Sequence, residues 1–279
     1  MGRLEILISC MGTDAEEICR QSNVRCDAVV INQCDKEEEA ELTSVCVSGK
    51  TTRIKSIKTK ERGLSRSRNM AIKKATAEFC LFADDDEMFE DDVEEIITDT
   101  YDKHPDADII IFNVANTMSK PFVKEERVGF RRIMNIGTVR ISVRRAKITE
   151  NALTFDVEMG SGTGHGGGEE PRFLLDCKRK GLRIIGVPRT VAALKKGAPS
   201  QWFHGYTRTY FLRLGWTSRR LLGLPLSILY AFYTVVHMRS KYKGSVPMRD
   251  ILFCLLRGTC DKNIFDSALY KRLKAQDEP

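Results

Sequence analysis

Short apolar runs recur along the first two thirds of the chain, and the stretches between them carry apolar residues at helical spacing. Residues 4–8 (LEILI), 28–31 (AVVI), 43–47, 79–83 (FCLFA), 109–112 (IIIF) and 182–187 predict strands. Residues 14–21 predict a helix with Thr13 or Asp14 as N-cap. A second helix is expected over 64–77, where Leu64, Ala71, Ile72 and Ala75 share a face. A third covers 91–104 and stops at Pro105, and a fourth covers 169–180 and closes at Gly181. Residues 36–41 are charged and predict a connection. Strands alternating with helices at this rhythm predict βαβ units: an α/β fold with a mostly parallel central sheet flanked by helices. Such sheets bind ligands beyond the carboxyl ends of their strands. The residues to inspect are therefore Ser9 and Cys10, Asn32 and Gln33, and Asp84 to Asp86.

Two segments break the rhythm. Residues 160–168 read Gly-Ser-Gly-Thr-Gly-His-Gly-Gly-Gly, which demands a mobile or tightly turned loop, with His165 a loop residue. Residues 221–238 form 18 positions without Asp, Glu, Lys or Arg, bracketed by Arg219-Arg220 and by Arg239, Lys241 and Lys243. The run is slightly short for a membrane span, which needs about 20 apolar residues, and it contains Pro225, Tyr230, Tyr233 and His237. It is open to three readings: an interfacial helix, a buried helix or a span.

Charge sharpens this division. The formal net charge is +7, yet residues 201–279 hold 13 Lys and Arg against five Asp and Glu, while the first 200 residues are nearly neutral. A basic tail suits an anionic surface, membrane or nucleic acid. The near-neutral first part shows no nucleic-acid motif, so nucleic acid is not expected as a partner. The expected organisation is an α/β domain over 1–205 and a helical, basic and apolar extension over 206–279. Nine cysteines with no C-x-x-C spacing, and an opening without a signal-like apolar region, predict reduced thiols and a cytoplasmic protein. Ile6 excludes the myristoylation pattern.

Three clusters carry chemistry. The strand over 79–83 runs into Asp84-Asp85-Asp86-Glu87, and adjacent carboxylates at a strand end call for a cation. Mg²⁺ or Mn²⁺ prefers one or two carboxylates together with phosphate oxygens, which makes Asp84 and Asp86 the candidate ligands. Some of the following acids also serve the next helix N-terminus. Gly63-Leu64-Ser65-Arg66-Ser67-Arg68-Asn69 places two arginines and two hydroxyls at a helix start, a setting for a diphosphate. Glu169-Glu170 stands at another helix start, as dipole partners or as a general base raised by its neighbour. Residues 162–167 match G-x-G-x-x-G, but no acid follows at the ribose-binding distance, so dinucleotide binding is rejected.

Taken in order along nearly the whole chain, these pieces resemble the family 2 glycosyltransferases of the GT-A fold, a Rossmann-like architecture. Ser9-Cys10 resembles the end of that family's first strand, and Ile31-Asn32-Gln33 the end of the second, although acids are usual there. Residues 63–71 (GLSRSRNMA) are similar to the family's G-x-S-x-A/S-R-N helix, and Asp84-Asp85-Asp86 to its DxD motif. Gly168-Glu169-Glu170 resembles the G-E-D element, with Glu170 in place of Asp. Residues 199–206 (PSQWFHGY) and the basic, apolar tail with Leu256-Arg257-Gly258 are similar to small bacterial members.

The resemblance implies metal-assisted, inverting transfer of a sugar from a nucleotide-diphosphate sugar, a UDP-sugar first, to a hydroxyl of a glycan or lipid-linked glycan. It places the nucleotide near Ser9, Cys10, Asn32, Gln33, Asp84 and Asp85, with Arg66 or Arg68 on the diphosphate. Asp86 and Asp84 would hold Mg²⁺ or Mn²⁺, and Glu170 or Glu169 would take the acceptor proton. Trp202 and His204 would meet the acceptor, Trp202 being equally suited to the core. It also implies peripheral attachment to the inner face of an anionic membrane. Two other readings remain: a nucleotidyltransferase, which usually carries a Gly-rich loop where this chain has Ser9-Cys10-Met11-Gly12, and an inactive relative that binds a membrane or partner.

Overall fold

A computed structural model of the protein describes residues 2–45, 51–117, 119–137, 140–195, 205–242 and 244–277. The chain divides into two compact units: Met1–Val157 with Glu169–Ala198, and Glu158–Gly168 with Pro199–Pro279.

The first unit is built on one ten-stranded sheet. In chain order its strands are β1 (Leu4–Cys10), β2 (Asp27–Gln33), β3 (Glu38–Val45), β4 (Thr51–Thr59), β5 (Phe79–Asp84), β6 (Glu87–Phe89), β7 (Ile109–Ala115), β8 (Glu126–Arg127), β9 (Ile141–Arg144) and β10 (Ile184–Leu194). The order across the sheet is β3-β4-β2-β1-β5-β9-β7-β10-β6, with β8 beside β10. The centre, β4-β2-β1-β5, is parallel, and so is the β7–β10 pair. The β3, β6, β8 and β9 pairings are antiparallel. Helices α1 (Ala15–Gln21), α2 (Leu64–Lys74), α3 (Val93–Lys103), α4 (Phe130–Ile133), α5 (Arg145–Glu150) and α6 (Glu169–Arg179) complete this unit. β1 is buried along its whole length, as expected of a central parallel strand covered on both faces.

Three departures from the sequence reading have physical causes. The charged stretch expected as a connection is the first half of β3, an edge strand whose exposed Glu38, Glu39 and Glu41 discourage further pairing. Helix α2 ends at Lys74 rather than 77 because the buried Glu5 carboxylate accepts from the N–H groups of Thr76 and Ala77. β10 runs to Leu194, past the expected end at 187. It carries Pro188 through a break in its register with β7 between Gly186 and Thr190.

The second unit is helical: α7 (Arg208–Leu222), α8 (Leu224–His237), α9 (Arg239–Tyr242), α10 (Met248–Cys260), a 3₁₀ turn (Ile264–Asp266) and α11 (Ala268–Asp277). Thr207 caps α7 by accepting from the Tyr210 N–H at 3.1 Å. Helices α7 and α10 meet at two glycines. A Cβ on Gly215 would overlap the Leu255 carbonyl, and one on Gly258 would overlap the Leu212 carbonyl. Gly223, at φ 77°, splits the apolar run over 221–238 into the end of α7 and all of α8. Among the described residues no helix is long and apolar enough to cross a membrane. The glycine-rich segment is tightly turned. Tyr270 Oη donates to the Gly164 carbonyl at 3.2 Å, and the His165 ring stacks on Phe265 at 4.3 Å.

Candidate active site

Strand register brings the first residues together. Ser9 lies level with Ile31 on one side and Asp84 on the other, and Cys10 lies level with Asn32. Thus β1, β2 and β5 deliver their last side chains to one carboxyl edge. The chain then turns sharply: Asp84 ends β5, Asp85 and Asp86 form the turn, and Glu87 opens β6.

The order of α2 decides which arginine belongs to this edge. Two positions two residues apart on a helix face nearly opposite ways. Arg66 points outward and pairs with Glu61 at 3.2 Å, while Arg68 is fully buried. Arg68 Nη2 donates to both oxygens of Asp84, at 2.9 and 3.1 Å. Its Nη1 donates to Glu170 Oε1 at 2.9 Å, with Glu169 Oε1 at 3.8 Å. One guanidinium therefore joins the strand-end acids to the acid pair opening α6, although 102 residues separate Arg68 from Glu170. An aromatic floor fixes the arrangement. Phe155 and Phe173 stack at 4.3 Å, Phe82 packs edge-on, and the Arg68 guanidinium lies 5.4 Å from the Phe155 ring. Asn69 holds the Phe155 backbone through both its N–H and its carbonyl.

Burial pushes the carboxyls of Asp84, Asp85 and Asp86 above the usual range. Arg68 opposes that at Asp84, and each acid's neighbour adds to it at Asp85 and Asp86. Glu87, completely buried, is held well above its ordinary value, and its Oε1 has no hydrogen-bond partner. Burial, then the neighbouring Glu170, drives Glu169 up to about 8, and its Oε2 is also without a partner. Such a cluster favours an added cation. Among the described residues no three Asp, Glu, His or Cys side chains converge closely enough to hold an ion alone. Hard carboxylate oxygens in short supply fit Mg²⁺ or Mn²⁺ with phosphate oxygens completing the shell. Asp86 and Asp84 would supply the protein's share.

The other expected residues fall into place differently. Ser67 Oγ and Ser9 Oγ are hydrogen-bonded at 2.8 Å inside the protein. The Cys10 thiol, pushed up to about 12 by burial, faces the Thr13 carbonyl. Asn32 braces the loop after β1: its Nδ2 donates to the Thr13 carbonyl at 2.7 Å and its Oδ1 accepts from the Gly12 N–H at 2.8 Å. Gln33 Oε1 accepts from the Gly63 N–H at the start of α2, at 2.7 Å. These amides build the loops around the edge. Trp202 and His204 lie outside the described residues.

Sequence reasoning missed Lys195. Its Nζ donates to the Asp85 carbonyl at 3.0 Å and its backbone N–H to the Asp86 carbonyl at 2.8 Å. It follows β10 directly, so the rule of inspecting strand ends would have found it had the strand been read to its full length.

Comparison with known proteins identifies the family. Residues 15–166 match the glycosyl transferase family 2 profile. That is more than half of the chain, and the protein belongs to this family: it is a glycosyltransferase. No curated protein matches the chain in sequence. Among solved structures, S. aureus TarS 1-349 matches with a TM-score of 0.57 at 14% identity, covering 99% of this chain and 88% of that one. The same fragment in complex with UDP-GlcNAc matches with a TM-score of 0.59 at 14% identity and the same coverage. S. aureus TarS without that truncation matches with a TM-score of 0.56 at 14% identity, over 99% of this chain and 53% of that one. At such identity the likeness concerns the fold.

Proposed function

We propose that the protein transfers a sugar, with inversion, from a UDP-sugar to a hydroxyl of a glycan or lipid-linked glycan at the cytoplasmic face of an anionic membrane. The observation that carries the reading is the Arg68 bridge between Asp84 and Glu170. It holds the acids suited to a donor diphosphate and an acid suited to take a proton in one fixed frame. The TarS fragment solved with UDP-GlcNAc and with UDP supports UDP as the nucleotide to test first.

In this mechanism the diphosphate lies along the carboxyl edge, beside Asp84 and Asp86. A divalent ion bound there would stabilise charge growing on the leaving diphosphate as a Lewis acid. Arg68 is fully buried and engaged by carboxylates, so it orients them and does not itself reach the donor. Glu170, the acid in direct contact with Arg68, accepts the acceptor's hydroxyl proton as that oxygen attacks the anomeric carbon. Burial and the neighbouring Glu170 push Glu169 up to about 8, which favours its protonated form beside Glu170.

The test is calorimetric titration of UDP, GDP, CDP and dTDP, with and without Mn²⁺, on wild type and Asp86→Asn. One nucleotide is expected to bind tightly, and only with both the metal and Asp86 present. Equal binding by Asp86→Asn without metal would overturn the assignment. The anomeric configuration of the product, read by NMR, tests inversion.

A further inference from the structure

The second unit carries a surface that sugar transfer does not use. On α8, Leu226, Leu229, Phe232, Tyr233 and Val236 are exposed. Their spacing sets them along one side of the helix, opposite the buried Ser227, Ala231, Thr234 and Val235. Met248 and Phe253 on the adjoining α10 are exposed as well. Of the 12 large apolar side chains exposed among the described residues, eight lie on α8 and α10. An exposed apolar stripe of this kind along one helix marks a contact surface.

Its surroundings identify what it meets. α8 holds no Asp, Glu, Lys or Arg, and Arg239, Lys241 and Arg249, beyond its end, are exposed. Residues 201–279 carry a net charge of +8. Tyr230, Tyr233 and His237 form a ladder of rings with centroids 6.3 and 4.9 Å apart. Rings with an apolar body and a polar tip suit the depth of lipid headgroups. A second copy of the chain would set this cationic rim against itself across a two-fold axis, which like charges oppose.

We infer that the exposed face of α8 is a bilayer-docking surface. The helix lies in the plane of an anionic leaflet, its stripe enters the acyl boundary, and the exposed cations meet lipid phosphates. The inference deepens the membrane part of the proposed function, and its test is independent of the donor site.

The full chain is floated with vesicles of phosphatidylglycerol and phosphatidylcholine, or of phosphatidylcholine alone. Wild type is expected to float with the anionic vesicles and to be released by salt. The triple variant Leu229→Glu, Phe232→Glu, Val236→Glu should lose about tenfold or more of this binding, with helix content and Tm retained because all three sites are exposed. Phe232→Trp supplies a second readout: the indole emission it adds is expected to shift to the blue on anionic vesicles only. Undiminished flotation of the triple variant overturns the inference, and so does the absence of that shift in the Phe232→Trp variant. A wild-type dimer that fails to float and that the triple variant dissolves, seen by sedimentation equilibrium, also overturns it. Failure of wild type to bind UDP, with the vesicle pattern intact, would defeat the donor reading and leave this one standing.

Discussion

The two units treat charge in opposite ways. In the first, Glu5, Arg68, Glu87, Arg140, Glu169 and Glu170 are all buried. In the second, the buried polar side chains among the described residues are hydroxyls only: Thr209, Ser218, Ser227, Thr234 and Thr259. Their apolar surfaces are reversed as well, since most exposed large apolar side chains lie in the second unit. Burying ionisable groups is costly unless they are paired, and that cost is characteristic of a place where chemistry is done. Leaving apolar groups in water is characteristic of a place where something else is to be covered. The difference supports the proposal that the first unit carries catalysis and the second attachment.

The comparison breaks most visibly at Asp86. Asp86→Asn is expected to lower donor turnover about a thousandfold or more, while Tm changes little, because the proposed metal ligand lies in a turn outside the core. A near wild-type rate, measured by release of nucleotide diphosphate, would sink the metal assignment. Next comes Arg68→Met, which strands Asp84 and Glu170 without their cation. Removing one partner of a buried ion pair costs about 3–5 kcal/mol, so the urea midpoint should fall sharply. Arg66→Met, at a half-exposed surface pair, should leave that midpoint almost unchanged.

Gly258→Ala sharpens the contrast from the other side. The new methyl group meets the Leu212 carbonyl of α7, and overpacking of this kind costs about 1–3 kcal/mol. Stability should drop while UDP binding in Mn²⁺ persists, and loss of both together would deny the division of labour. The smallest effect concerns Glu169. Between its ordinary 4.5 and about 8 the native state keeps a proton that the unfolded chain has lost, so stability falls as pH rises through that window. Glu169→Gln should flatten that slope in denaturation curves taken across it. An unchanged slope would show that Glu169 does not hold the proton.

Part of this was legible in the residues alone. β1, β2, β5 and β7 announce themselves because strands covered on both faces read as near-continuous apolar runs. The acids that close β5 and follow it are legible for the same reason, since the apolar run ends where they begin. β4 was not, because Arg53, Lys55 and Lys58 interrupt its apolar positions. β6, β8 and β9 are two to four residues long, too short for any period to show.

The sequence by itself determined that a parallel α/β core ends in carboxylates, that an Arg-rich helix precedes them, that an acid pair opens a later helix, and that the positive charge gathers in the last third. These follow from local composition and spacing. Helical period also dictates that Arg66 and Arg68 cannot both face inward. Only the tertiary structure decided that Arg68 is the one, since that depends on how α2 is seated against the sheet. It likewise decided that Glu170 meets Arg68 more closely than Glu169 does, that the amides of Asn32 and Gln33 are spent on loops, and that one side of α8 stays uncovered. Each is a matter of which surfaces meet across long sequence separations, and no local pattern encodes the meeting.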